Sequence, residues 1–294
     1  MLSLLGGVFL GWSLGANDAA NAFGSAVSSK MLRFWTAAAL AAIFVLLGAV
    51  LEGRAGIDTL QGLTHLTLKK ATVASVAAAL TVTVMTLFGL PVSTSQAVVG
   101  AILGIGILNQ QLDLTGLSKV VACWIGTPVG GLIIAIIVYK LLSAVFNRMN
   151  IDLFRTDILI RFLLIMAGSY AAYALGANNV ANVTAVFVGA GQISVFAATL
   201  IGGLSIALGI LTFSRPVMET IGKKLVRLDP FSALVVVLAE AITVHFFTFV
   251  GVPVSTSQAV IGAVLGVGIV KGANTVRRRT LTNILFGWFL TPAV

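Results

Sequence analysis

The hexapeptide Pro91-Val92-Ser93-Thr94-Ser95-Gln96 returns unchanged as Pro253-Val254-Ser255-Thr256-Ser257-Gln258, 162 positions further along the chain. Across 91–107 and 253–269, 14 of 17 residues are identical, and the other three exchange Val and Ile. A second motif keeps nearly the same offset. Gly15-Ala16-Asn17-Asp18-Ala19-Ala20-Asn21 recurs as Gly176-Ala177-Asn178-Asn179-Val180-Ala181-Asn182, 161 positions later. Trp124 and Thr127-Pro128 are echoed by Trp288 and Thr291-Pro292. Motifs recurring together at one spacing divide the chain into two copies of a single unit, roughly 1–150 and 151–294.

Each copy is a series of apolar runs with little charge between them. Only 9% of the 294 residues are charged and 59% are hydrophobic. So little charge could not cover a water-exposed surface, whereas lipid needs no such cover. The start Met1-Leu2-Ser3 lacks a basic leader, and many apolar runs follow, so the first run reads as a membrane span. The net charge of +9 does not point to nucleic acid, because the basic residues lie in short loops between apolar runs. Cys123, the single cysteine, excludes an intrachain disulfide.

The pattern predicts an all-α integral membrane protein. Its apolar runs lie at about 1–26, 33–51, 72–89, 97–108 and 119–146, then at 158–182, 193–213, 231–250, 259–270 and 282–294. A bilayer core needs about 20 helical residues, so 97–108 and 259–270 are too short to cross. Each follows a longer helix through Gly-x-Pro-Val-Ser-Thr-Ser, where proline breaks the hydrogen-bond ladder. The expected form is a re-entrant helical hairpin built from broken helices, tolerated at depth where protein or a wet cavity satisfies the backbone. An odd number of crossings per copy makes the two copies inverted-topology repeats. Fourteen of the 18 Lys and Arg residues then fall on one side, which places that side in the cytoplasm and the N-terminus outside the cell membrane. By the repeat, Val294 corresponds to Gly130, so the last helix is expected to be truncated.

Ser93, Thr94, Ser95 and Gln96 open one half-helix, and Ser255, Thr256, Ser257 and Gln258 open the other. A helix N-terminus offers unpaired N–H groups and the positive end of a dipole, which suits an anion. Hydroxyls and an amide add neutral donors. Two such ends meeting at the midplane could enclose a tetrahedral oxyanion, as inverted-repeat transporters hold substrate. The blander reading is that these residues cap the half-helices. Asn17, Asp18 and Asn21, with Asn178, Asn179 and Asn182, lie inside otherwise apolar helices. An intramembrane carboxylate reads as an ion ligand or proton carrier, and hard cations take oxygen ligands. The alternative is a hydrogen-bonded cluster between helices.

These two motif sets, each present twice, resemble the inorganic phosphate transporter (PiT) family. The resemblance implies phosphate uptake coupled to sodium or protons, no further cofactor, an inverted-repeat transport domain in lipid and often a homodimer. It assigns cation binding to Asn17, Asp18, Asn21, Asn178, Asn179 and Asn182, and phosphate to the two Ser-Thr-Ser-Gln tips. Members often carry Asp where this chain has Asn179, which bears on the coupling ion. Relatives of the family also carry sulfate. An anion channel is a rival from another class, since duplicated re-entrant loops also build pores. A serine hydrolase using His245 is disfavoured, because the serines are duplicated and the histidine is not.

Other residues carry weaker signals. Asp58 and Glu219 each follow an arginine by four residues, which fits either a helix-end salt bridge or a gate. Glu240 and His245 lie within the apolar run 231–250, where the first copy has Ala78 and Thr83. Gly100-x-x-x-Gly104 and Gly262-x-x-x-Gly266 predict close helix packing. Arg277, Arg278 and Arg279 read as a topological signal with contact to anionic lipid.

Overall fold

The computed structural model describes residues 3–63, 66–87, 92–110, 112–149, 152–224 and 228–272, with Trp288 and Thr291; the side chains of 86 and 219–224 lie outside it. All regular structure among the described residues is helical. The order is α1 (Leu4–Ser28), α2 (Phe34–Glu52), α3 (Arg54–Gln61), α4 (Leu68–Leu87), α5 (Thr94–Asn109), α6 (Leu114–Arg148), α7 (Leu153–Gly189), α8 (Val195–Lys224), α9 (Pro230–Val250) and α10 (Thr256–Lys271).

Among the described residues, six helices are long and apolar enough to cross a membrane: α2, α4 over Leu68–Met85, α6, α7, α8 over Val195–Met218, and α9. This is a multi-pass membrane protein. The expected span at 1–26 forms α1, but α1 is not among the six. Its Asn17-Asp18 stretch and its small residues are buried against other helices, so protein rather than lipid solvates them. The amphipathic helix α3 was not expected. Eight residues with Arg54 and Asp58 on the outer face are too short and too polar to register as an apolar run.

The two broken hairpins form. Lys70 near the start of α4 donates to Asn109 Oδ1 at the end of α5, so the short helix returns to the side from which α4 departed. Lys271 at the end of α10 likewise donates to Asp229, the N-cap of α9, and to Ser232 Oγ at 3.3 Å. The bonded positions correspond, Asn109 to Lys271 and Lys70 to Ser232, but the lysine changes ends.

Helix contacts also come in matched pairs. A Cβ on Gly15 would lie 2.0 Å from the Ile206 carbonyl oxygen, and one on Gly176 would lie 2.0 Å from that of Val45. Gly15 and Gly176 are 161 apart, as are Val45 and Ile206. Backbones meet so closely that only glycine fits. The expected packing of Gly262 and Gly266 is present, since their Cβ positions fall 2.0 Å from the Pro128 oxygen and 2.4 Å from the Leu132 oxygen on α6. Gly104 differs: among the described residues nothing comes within 4 Å of its Cβ position. The segment that would mirror α6 against it, at 282–294, lies outside the described residues apart from Trp288 and Thr291.

Candidate functional site

Each tip is organised first by its capping serine. Ser93 Oγ accepts from Gln96 N at 3.3 Å and Ser255 Oγ accepts from Gln258 N at 3.3 Å, with both caps in extended conformation. The capping reading of these two serines is therefore correct, and it does not exhaust them. A hydroxyl that accepts a cap bond still has its own O–H to donate. All eight tip residues are buried.

The tips meet each other and the Asn/Asp motifs. Ser95 Oγ lies 3.0 Å from the Val254 carbonyl oxygen of the opposite tip, and Ser257 Oγ lies 3.5 Å from that of Val92. Asn182 Nδ2 donates to Ser95 Oγ at 2.9 Å and to Asn179 Oδ1 at 2.9 Å. Asn21 Nδ2 reaches Thr256 Oγ1 at 2.9 Å and Ser257 Oγ at 3.3 Å. Each Asn motif thus serves the tip of the other copy. Asn178 acts as a brace. Its Oδ1 accepts from Val254 N at 2.7 Å, and its Nδ2 donates to Val252 O at 3.1 Å and Thr248 Oγ1 at 3.2 Å. That amide stands in for backbone bonding where the chain between α9 and α10 is not helical.

The remaining groups suit a cation. Asp18 is buried beside Thr94, and Glu240 is buried within electrostatic reach of Asp18. Asp18 Oδ1, Glu240 Oε2, Gln96 Oε1, Gln258 Oε1 and Asn182 Oδ1 are buried without a hydrogen-bond partner among the described residues. Two carboxyl groups away from water need a proton or a cation, and the surplus of carboxylate and amide oxygens is a hard-cation donor set. Among the described residues, no group of three or more His, Cys, Asp or Glu side chains is placed to hold a metal ion. Asn17 is buried in the same turn of α1.

Not every candidate gathers here. Asp58 pairs with Arg54 at 3.6 Å on the exposed face of α3 and accepts from Gln61 Nε2 at 3.1 Å. The Glu219 side chain and Arg277, Arg278 and Arg279 lie outside the described residues. His245 bonds to Glu52 Oε2 at 2.7 Å and to Tyr170 at 2.8 Å, a cluster of which the sequence had singled out only the histidine. Glu52 gives no local signal, since it reads as the polar end of an apolar run.

Two helical hairpins meet tip to tip inside a bundle of helices long enough to cross a membrane, an architecture fit for a membrane transport protein. The chain belongs to the phosphate transporter family, which it matches over residues 14–294. It is similar to a Methanocaldococcus jannaschii protein that bears a phosphate-permease name, 29% identical over all of this chain and 93% of that one. It is also similar to the Bacillus subtilis sulfate permease CysP, 30% identical over 99% of this chain and 84% of that one. A solved structure, that of a sodium-dependent phosphate transporter, superposes with a TM-score of 0.87 at 26% identity, covering 99% of this chain and 94% of that one. The family is one of transporters, not enzymes.

Proposed function

We propose that the protein imports inorganic phosphate by symport with sodium or protons, with the anion held between the two tips and the cation at the Asn/Asp motifs. The observation that carries this reading is the convergence of both identical tips with Asp18, Asn179 and Asn182 in one buried place. The tips offer helix N-terminal donors without a fixed positive side chain, so bound anion can also leave. Cation at Asp18 and the free amide oxygens would offset the anion's charge. In this reading the two copies are inverted repeats, supported by the reciprocal contacts of Gly15 with Ile206 and Gly176 with Val45. Rocking one half against the other then exposes the site alternately. The basic residues favour an extracytoplasmic N-terminus.

The direct test is radiolabelled phosphate uptake into proteoliposomes under a sodium gradient, a proton gradient or neither. Accumulation above equilibrium under one gradient identifies the coupling ion. Equilibration without regard to either gradient refutes symport. Sulfate is the second reading, favoured by the likeness to a sulfate permease. Competition by unlabelled sulfate against labelled phosphate separates the two.

A further inference from the structure

One ionisable cluster lies outside the proposed site and has no counterpart in the first copy. His245 of α9 bonds through Nε2 to Glu52 Oε2 at the end of α2, at 2.7 Å, and through Nδ1 to Tyr170 of α7, at 2.8 Å. The ring stacks on Phe249, with centroids 4.8 Å apart, and the edges of Tyr170 and Tyr173 close over it at 5.4 and 5.7 Å. The His245 side chain is 16% exposed and that of Glu52 33%. The corresponding residue to His245 in the first copy is Thr83, which bonds instead to Ser13 at 2.9 Å.

Both protonation states of the imidazole fit these partners. Neutral His245 donates from Nε2 to the carboxylate while Nδ1 accepts from the Tyr170 hydroxyl. Protonated His245 donates from both nitrogens, to Glu52 and to the Tyr170 oxygen, which has a lone pair to spare. One proton can enter or leave without moving a heavy atom, and imidazole is the side chain suited to do so between pH 5 and 8. Glu52 supplies the negative charge that an imidazolium needs away from bulk water.

The cluster is wired to the site through α9. The turn of α9 that carries His245 also supplies Val244 O, 3.4 Å from Asn178 Nδ2, and Thr248 Oγ1, 3.2 Å from it. Asn178 in turn fixes Val254 beside the tip. We propose that His245, Glu52 and Tyr170 form a proton-binding site separate from the anion and cation site, whose occupancy changes anion binding through α9 and Asn178. This link rests on the reading of the tips as the anion site, whereas the proton site itself does not.

Several other charged groups on elements packed against α9 have partners of their own. On α3, Arg54 and Asp58 pair with each other. From α6, Lys119 Nζ donates to Val250 O at 3.0 Å, at the C-terminal end of α9. On α10, Lys271 bonds to Asp229 at the far end of α9. From α1, Asp18 faces Glu240.

The sequence holds two histidines, so replacing His65 with Asn leaves His245 as the single imidazole for nitrogen NMR. In this H65N protein, the nitrogen shifts of the His245 ring are expected to differ between samples at about pH 5 and pH 8, as uptake of a proton requires, and E52Q is expected to change that response. Ring nitrogen shifts that are the same at both pH values, or a response to pH that ignores E52Q, overturn the proton site whether or not phosphate binds. Equilibrium binding of labelled phosphate at about pH 6 and pH 8 tests the link. Titration of phosphate itself is common to all variants, so the expected result is an affinity ratio between the two pH values that shifts about fivefold or more in H245Q and in E52Q. An unchanged ratio in both overturns the link. Phosphate binding absent from the parent protein as well removes the anion site on which the link stands, and leaves the proton site to the NMR result.

Discussion

Asn182 donates from Nδ2 to Ser95 Oγ at 2.9 Å, joining the second Asn motif to the first Pro-Val-Ser-Thr-Ser-Gln tip. The mirror bond, Asn21 to Ser257 at 3.3 Å, joins the first motif to the second tip. Each proposed cation motif is therefore bonded to the opposite proposed anion tip, and in that reading binding of one ion would order the donors of the other. Replacing Ser95 by Ala leaves Asn182 Nδ2 with one acceptor fewer in a buried place, a loss of about 1–3 kcal/mol. The expected outcome is a rise of about 5-fold to 100-fold in half-saturating phosphate, with S95T retaining the hydroxyl and most of the affinity. Unchanged phosphate saturation in S95A would remove Ser95 from the anion site.

Asp18 is the one carboxylate in the two Asn/Asp motifs, and its Oδ1 has no hydrogen-bond partner among the described residues. In D18N a neutral amide of the same shape replaces the charge that would balance a cation. The expected outcome is a loss of cation dependence of about 10-fold or more in half-saturating cation, with a smaller change in phosphate saturation at high cation. Glu240→Gln tests whether the second buried carboxyl shares the ion: equal damage in both variants identifies a shared site. Cation activation of uptake that survives D18N intact would refute the assignment.

Much of this was legible from residues alone, because the repeat reported the site twice. Ser95 and Ser257 stand out by identity at one spacing, and their burial with Asn21 and Asn182 follows from polar side chains having nowhere else to go in lipid. Asn178 was legible as a polar residue but not as a brace for Val254, since which amide caps a broken strand of backbone depends on the turn geometry. The pairing of His245 with Glu52 spans 193 positions and occurs once, so neither local pattern nor repetition points to it. Helix α3 escaped notice because Arg54 and Asp58 dilute a short run whose apolar side is only Ile57 and Leu60.

The glycine contacts predict a sharp contrast in tolerance. A methyl on Gly15 would meet the Ile206 oxygen at 2.0 Å, and backbone cannot step aside as a side-chain tip can. Gly15→Ala is expected to cost at least about 2 kcal/mol through forced separation of α1 and α8. Gly104→Ala, at a position where no described residue comes within 4 Å of the added methyl, is expected to be neutral or to gain up to about 1 kcal/mol from helix propensity. Thermal unfolding of the two purified variants checks this, and equal melting temperatures would refute the close α1–α8 approach.

The hairpin latch at Asp229 sets a pH dependence whose sign can be worked out. Partial burial pushes the Asp229 carboxyl up, but hydrogen bonds from Lys271 and Ser232, with the Lys271 charge, outweigh it and hold the group at about 2 against an ordinary 3.8. A carboxylate held low in the folded state stabilises it above the unfolded value and loses that contribution as pH falls through the folded one. The latch is therefore fully present at neutral pH, declines below pH 3.8 and is gone below about 2. Asp229 is 44% exposed, so solvent screens the pair and the effect is modest. D229N is expected to melt a few degrees below the parent at neutral pH, with the gap narrowing as the pH is lowered past 4 toward 2. K271M should lower the neutral-pH melting temperature in the same direction, because it removes the donor that holds Asp229 charged. A gap in D229N that stays constant down to the lowest pH tolerated would show that the aspartate acts as a helix cap through Ser232 and not through the charge of Lys271.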